Sequence, residues 1–374
     1  MKRVSLYVFN PWHDMALANH RVNYQPPASA VQMARDLALL PSWIAEEGDV
    51  VCDFQAPVPE VEKYQVKPWG WDLLVYRMLL QWDSKVKLPS REYIDGIRLL
   101  SSRTLAVSTL KELRDSSPGF YEGESFLCTS LEEIQDLLVR YPDVIMKQLW
   151  SSSGKGLKPI CGEFDVPLQN WCKRSIQMQG GVVLEPRYER ILDFALEFLS
   201  DGEGHVSFNS YSVFLTNEHG QYSGNLLDTD EHLEQYILSK YGAEDNAVIN
   251  SLKEQISLIL SENIGRKYIG PFGVDMMLVK TASGEIKIHP CVEINVRFNM
   301  GQFASALSKK LLAEGHRGLF KIDFSSKPGS VLSHHQQMQE KYPLVKENEK
   351  VVSGYLALNP ISEKTCYLAY ILVE

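Results

Sequence analysis

Cysteine pairs, long apolar runs and dense blocks of basic charge are all missing from this chain of 374 residues. Its six cysteines, Cys52, Cys128, Cys161, Cys172, Cys291 and Cys366, stand singly with no CxxC pair. That argues against a zinc knuckle and a disulfide framework, and a reducing cytoplasm suits them. The longest apolar runs fall far short of the ~18 consecutive residues that a membrane helix needs, so no membrane partner is expected. At the N-terminus the apolar stretch Leu6–Phe9 is broken by Pro11, His13 and Asp14 before the core of an export signal can form. Lys and Arg number 38 against 47 Asp and Glu, a net charge of −9. No basic cluster follows that could track a phosphate backbone, so nucleic acid is not an expected partner. Internal repeats and low-complexity tracts are absent too.

What is present is ordinary globular material, 44% hydrophobic and 23% charged, enough for two or three domains at roughly 150 residues each. Leu6–Phe9 and Val50–Phe54 read as buried strands, with helical spacing between them at Met15–His20 and Ala30–Leu40, an α/β opening with a parallel sheet. A helix over Trp71–Leu80 follows the Pro68-Trp69-Gly70 breaker. From Ser101 the texture is α+β. Helices are predicted over Thr104–Arg114 and Ser130–Tyr141, the second opened by a Ser130/Glu133 capping box. Strands are predicted at Val144–Lys147, Val182–Glu185 and Phe194–Leu199. Helical periodicity at Asn246–Asn263 precedes strands Gly273–Val279 and Glu285–Asn295, joined around Ala282-Ser283-Gly284. Beyond residue 330 come a helix over His334–Tyr342 and a terminal hairpin, Val351–Leu358 with Thr365–Val373.

Two stretches carry chemistry. Lys147 ends a buried strand just before Ser151-Ser152-Ser153-Gly154-Lys155-Gly156, and an ammonium with a loop of small residues can offer donors to phosphate oxygens. A solvated lysine beside an ordinary surface turn has the same texture, and the segment is not a P-loop. The second stretch is Asp275 in one strand with Glu293 and Asn295 in the next. Residues two apart in a strand share a face. With a three-residue connection Asp275 pairs near Cys291 and joins that face, within about 7–8 Å of Glu293; a two-residue turn puts it on the other. Two carboxylates and an amide together suit Mg²⁺, whereas strand acids taken alone usually face solvent. At the first strand's end, His13 and Asp14 sit where α/β sheets bind ligands, although Asn10 or Asp14 serves equally as a helix N-cap. Trp69, Trp71 and Tyr76 read as core or interdomain packing.

Taken in order, the strand lysine, the Ser/Gly loop, Leu184-Glu185-Pro186, Gly270-Pro271-Phe272-Gly273-Val274-Asp275 and Val292-Glu293-Ile294-Asn295-Val296-Arg297 resemble the ATP-grasp superfamily over about residues 101 to 305. The resemblance implies an ATP-grasp fold behind an N-terminal α/β (pre-ATP-grasp) domain. It divides the chain into that domain at 1–100, a small lid subdomain at 101–185, a large subdomain with the metal site at 186–330 and a C-terminal extension at 331–374. It implies ATP and Mg²⁺, or Mn²⁺ in its place, as cofactors. By the same resemblance Lys147 and Lys155 contact phosphates with Ser152, Ser153 and Gly154, and Arg103 stands where an earlier phosphate lysine is usual. Leu184, Glu185, Arg187 and Tyr188 correspond to the hinge against the adenine edge, and Asp275, Glu293 and Asn295 to the metal ligands. Arg297 would stabilise the transferring phosphoryl, and with His13 would anchor a small carboxylate or amino acid. The implied reaction is a ligation in which ATP activates a carboxylate for attack by an amine. Phosphorylation of a hydroxyl, or nucleotide binding without catalysis, are the alternatives.

Overall fold

The computed structural model describes residues 4–151, 156–216, 222–243 and 245–374. Among these residues the strands form three sheets. The first is parallel: β1 (Ser5–Val8) lies between β2 (Val50–Val51) and β3 (Gln65–Pro68). The short apolar strands and the helices between them fit a parallel crossover layer. The second sheet is antiparallel, built from β4 (Phe126–Cys128), β5 (Asp143–Gln148), β6 (Leu157–Cys161) and β7 (Val182–Pro186) in the order β4-β7-β5-β6. Val144, Met146, Val182 and Leu184 from its strands fill a core with Ile134 and Cys172 from two covering helices.

The third sheet has nine strands. They are β8 (Glu189–Asp201), β9 (Val206–Thr216), β10 (Tyr222–Leu227), β11 (Ile269–Lys280), β12 (Ile286–Asn295), β13 (Gly318–Phe324), β14 (Val345–Glu347), β15 (Lys350–Ala357) and β16 (Tyr367–Val373). Their order is β12-β11-β8-β9-β10-β13-β16-β15-β14. The strands after residue 330 therefore extend the sheet that carries Asp275 and Glu293, and β15 and β16 pair antiparallel as the terminal hairpin. Phe9, Leu37 and Trp69 from the N-terminal layer share one core with Phe303, Phe320, Ile371 and Val373. Trp69 packs edge-on against both Phe9 and Phe298, with ring centroids 4.8 and 4.7 Å apart, which ties the parallel layer to the segment after β12.

The period of two in β8 and β11 sorts their residues. Phe194, Leu196, Phe198, Phe272, Val274, Met276 and Leu278 enter the largest core. The intervening Glu197 and Asp275 lie on the opposite face. The 281–285 connection closes with the amide of Thr281 on the Glu285 carbonyl at 2.8 Å, which leaves three loop residues. From there the ladder runs Lys280 to Ile286 through Met277 to His289, then shifts so that Asp275 lies opposite Glu293. The sequence expectation that Asp275 pairs near Cys291 is corrected by this shift. Pro290 sits inside the irregular stretch; it has no amide proton to give the ladder, and β12 is an edge strand, where proline is tolerated. A shift of two residues preserves the face and moves the two carboxylates from diagonal to directly opposed.

Candidate functional site

The sheet face carrying Asp275 meets the end of the first parallel strand. Asn295 donates from Nδ2 to Asp275 Oδ2 at 3.0 Å and accepts at Oδ1 from Arg297 Nη2 at 3.1 Å. Arg297 in turn grips Asp14 through two bonds, Nε to Oδ1 and Nη2 to Oδ2, each 2.9 Å. Partial burial alone would raise the Asp14 pKa, but the adjacent guanidinium brings it below the usual carboxylate value. On the other side Arg103, nearly buried, donates to Glu293 Oε1 at 2.8 Å, to the Gln148 carbonyl at 2.6 Å and to Ser151 Oγ at 2.9 Å. A cavity opens between Asp14, Ser101, Trp150, Ser151, Glu293 and Asn295.

Burial, and then the charge of Glu293 facing it, push the Asp275 carboxyl up to about 7. Among the described residues no three His, Cys, Asp or Glu side chains gather to hold a metal ion. The donor set on offer is two opposed carboxylates and one amide oxygen, all hard oxygens, a number that fits Mg²⁺ completed by water and phosphate. Glu197, opposite Gly273 on the neighbouring strand, is buried against the same face and accepts from Asn299 Nδ2 at 2.8 Å. Burial pushes it up to about 8 despite that bond, with the Asp275 charge adding to the rise.

Lys147 and Glu185 come from adjacent strands of the smaller sheet, their side chains 2.5 Å apart and almost fully buried. Ser125 Oγ donates to the other carboxylate oxygen at 3.1 Å. Buried Cys291 links this pair to the acidic one. Burial raises its thiol pKa first, and Glu185 and Asp275 both add to the rise. His289, two residues earlier, is fully buried against Tyr188, and among the described residues neither ring nitrogen has a hydrogen-bond partner. Burial first, and the Lys147 charge second, lower it to about 3, so its imidazole is neutral. Gly123 is required at that spot, because a Cβ there would lie 2.5 Å from the ring.

The residues singled out in the sequence are thus brought together unevenly. Asp275, Glu293, Asn295, Arg297 and Arg103 converge, with Lys147 and Glu185 behind them. Tyr188 accepts at its hydroxyl from the Glu124 amide at 2.8 Å. Leu184 is buried in the core of the four-stranded sheet, and the Arg187 side chain turns outward to Asp143. His13 is not in the cavity: its ring packs on Gly70, 3.6 Å from Asp72. Asn10 is no cap; its Nδ2 ties together the Gly70 carbonyl and Asp72 at 2.8 and 2.9 Å. Nor is Asp14 a cap, since its carboxylate goes to Arg297 rather than to a helix amide. Ser152, Ser153, Gly154 and Lys155 lie outside the described residues. The sequence reading missed Glu197, whose signal was a lone acid inside Phe194-Ala195-Leu196-Glu197-Phe198-Leu199, and the Asp14–Arg297 pair, which spans 283 positions.

No protein-family model and no curated protein sequence matches the chain. Solved structures do. The Campylobacter jejuni biotin carboxylase in a beta-gamma-ATP complex superposes with a TM-score of 0.53 at 12% identity, over 99% of this chain and 87% of that one. The biotin carboxylase domain of Hydrogenobacter thermophilus 2-oxoglutarate carboxylase, with MgADP, ADP and bicarbonate, gives 0.50 at 11% identity, over 100% and 87%. The Staphylococcus aureus N5-carboxyaminoimidazole synthetase with ADP gives 0.49 at 14%, over 98% and 92%. At such identities the likeness of the first two speaks for the fold. It is the ATP-grasp fold.

Proposed function

We propose that this ATP-grasp chain is an ATP-dependent carboxylate-amine ligase, one that phosphorylates a carboxylate and lets an amine or similar nucleophile capture the acyl phosphate. The observation that carries the reading is the direct opposition of Asp275 and Glu293, flanked by Asn295 and Arg297 and set just in front of the Lys147–Glu185 pair. A pure adenine binder has no use for two directly opposed carboxylates, whose like charges repel unless a cation lies between them. Two solved structures of TM-score 0.50 or more carry ATP-type ligands, one with MgADP and bicarbonate. Those ligands belong to those proteins, and they make a nucleotide and a small oxyacid the first candidates here.

In this reading Asp275, Glu293 and Asn295 hold Mg²⁺, with Mn²⁺ accepting the same oxygens. When bound, the ion supplies positive charge to the phosphate oxygens. Lys147 and Glu185 present one cation and one acceptor to the nucleotide, and the chain from Leu184 through Arg187 and Tyr188 borders the base. Arg103 neutralises Glu293 in the metal-free protein, so an ion there frees a guanidinium nitrogen to turn toward phosphate. Lys155, with Ser152, Ser153 and Gly154, contacts phosphate from the loop. Among the described residues Arg297 Nη1 has no side-chain partner, and Arg297 offers it to the charge that develops during transfer. The acceptor is a small carboxylate or amino acid. His13 does not anchor it directly, being packed beneath Gly70, and Arg297 reaches it only with its unpaired edge. The six free cysteines, four of them fully buried, suit a reducing cytoplasm.

The test is calorimetry with MgATP, then a panel of amino acids and carboxylic acids, bicarbonate included, scored for ADP and phosphate release. Nucleotide binding with carboxylate-dependent ADP release is expected. Stimulation only by sugars or polyols, with a phosphorylated product, would make the protein a phosphotransferase. Absence of any MgATP binding would end the nucleotide reading altogether.

A further inference from the structure

We propose that Asp14, on the N-terminal layer, is the positioning residue that aims Arg297 at the transferring phosphoryl. The inference rests on the phosphoryl-transfer reading above and adds a residue to its machinery. Arg297 has five N–H donors. Asp14 takes Nε and one hydrogen of Nη2 in a fork, and Asn295 takes the other hydrogen of Nη2. Among the described residues Nη1 has only a long 3.4 Å approach to the Phe298 carbonyl. Two parallel bonds fix a planar guanidinium in orientation as well as in place. The plane of Arg297, and hence the direction of its free nitrogen, is therefore set by a side chain 283 positions away.

The helix His13–Asn19 presents that side chain from its first turn. It is itself held by the Asn10 bridge to Gly70 and Asp72, so Asp14 is a fixed anchor. A guanidinium left to rotate would also release Asn295, whose Oδ1 faces it and whose Nδ2 steadies Asp275. Asp14 thus acts through Arg297, and its loss should appear more in the transition state than in ground-state binding.

The experiment compares calorimetric affinity for MgADP alone with affinity for MgADP plus aluminium fluoride, a planar mimic of the transferring phosphoryl. It uses the wild type, Asp14→Asn, Arg297→Ala and the double variant, each checked for folding by its melting transition. Asp14→Asn keeps the size but turns an N–H toward the guanidinium; Asp14→Ala, which deletes the carboxylate, is the second variant. Each single change should weaken the fluoroaluminate complex by about a hundredfold, the scale of one lost transition-state donor, and weaken the MgADP complex by a much smaller factor. The double variant should be no weaker than Arg297→Ala, because the two side chains act as one unit. Failure of the wild type to bind MgADP would overturn the nucleotide reading, and the inference with it. Wild-type gain from fluoroaluminate that persists in folded Asp14 variants, or that grows in them, would overturn the inference alone.

Discussion

Asp275 and Glu197 lie on adjacent strands of one sheet face, and burial raises both carboxyls, to about 7 and about 8. The folded protein then holds protons that the unfolded chain would release. Ionising Glu197 counts against folding as pH climbs from its ordinary 4.5 to about 8, so stability falls across that window and the penalty is complete above it. Glu197→Gln removes the ionisation while keeping an acceptor for Asn299. Its melting temperature should exceed that of the wild type above about pH 8 and lose the advantage below about pH 4.5. Parallel melting curves at all pH values would show that Glu197 does not hold its proton. A second change at this scale concerns turnover. On the proposed reading, Asp275→Ala and Glu293→Ala should each lower MgATP-dependent ADP release by at least about a hundredfold, since each would remove a hard ligand from the proposed cation site. Undiminished release in either purified variant would move the metal elsewhere. Asp275, Glu293 and Asn295 were legible because a strand's period of two is local. The Asp14–Arg297 fork was not, because no local pattern joins positions so far apart.

At the scale of elements, the hairpin shows which features a sequence announces. The sequence placed the connection around Ala282-Ser283-Gly284 but left three residues and two as alternatives; the three-residue form is the one present, and it sets the face of Asp275. The two-residue slip around Pro290 was not readable, because a bulge answers to packing on both sides of the strand. Helix Val166–Gln179 went unread although Asp165 caps it through the Leu168 amide, a proline follows in its first turn and Gly180 ends it in the left-handed region. Those are local stop and start signals that outrank its weak apolar periodicity. Helix Met300–Leu311 is positioned by a different device. Asn299 caps it by accepting from the Gln302 amide and at the same time donates to Glu197. Gly301, in its first turn, has no side chain because a Cβ there would lie 2.0 Å from Glu197 Oε1 and 2.7 Å from Ser212 Oγ. Gly301→Ala should therefore destabilise by about 1–3 kcal/mol through overpacking, against the gain that alanine normally brings to a helix. Chemical denaturation measures the sign. A more stable variant would mean that the Glu197 carboxylate swings aside freely.

Across the whole molecule the cores decide what moves together. Phe9, Leu37 and Trp69 share their core with Phe303, Ile371 and Val373, so the parallel layer and the far end of the large sheet are one packed body. The four-stranded sheet has a core of its own in Val144, Met146, Ile160 and Leu184, and only Val183 of its strands, with Leu149 and Trp150 just beyond β5, enters the largest core. Its ties to the body include polar contacts: the Glu122 amide on the Ile288 carbonyl at 2.9 Å, Trp150 Nε1 on the Arg98 carbonyl at 2.8 Å, and the neighbouring Arg103–Glu293 pair. A unit with its own core can open below the energy of global unfolding, whereas elements of a shared core open together. That division suits a lid that admits nucleotide while Asp14 stays on Arg297. Trp69→Ala should cost about 3–5 kcal/mol, as large aromatic truncations in cores do. Native-state hydrogen exchange should then show the loss at Ser5–Val8 and at Tyr367–Val373 alike, with Asp143–Gln148 unaffected. Met146→Ala should do the reverse, speeding exchange in Asp143–Gln148 and Val182–Pro186 alone. If Trp69→Ala loosened Ser5–Val8 while Tyr367–Val373 kept its protection, the N-terminal layer would be an independent domain. Asp14 would then ride on a moving part, and Arg297 would be aimed only in the closed state.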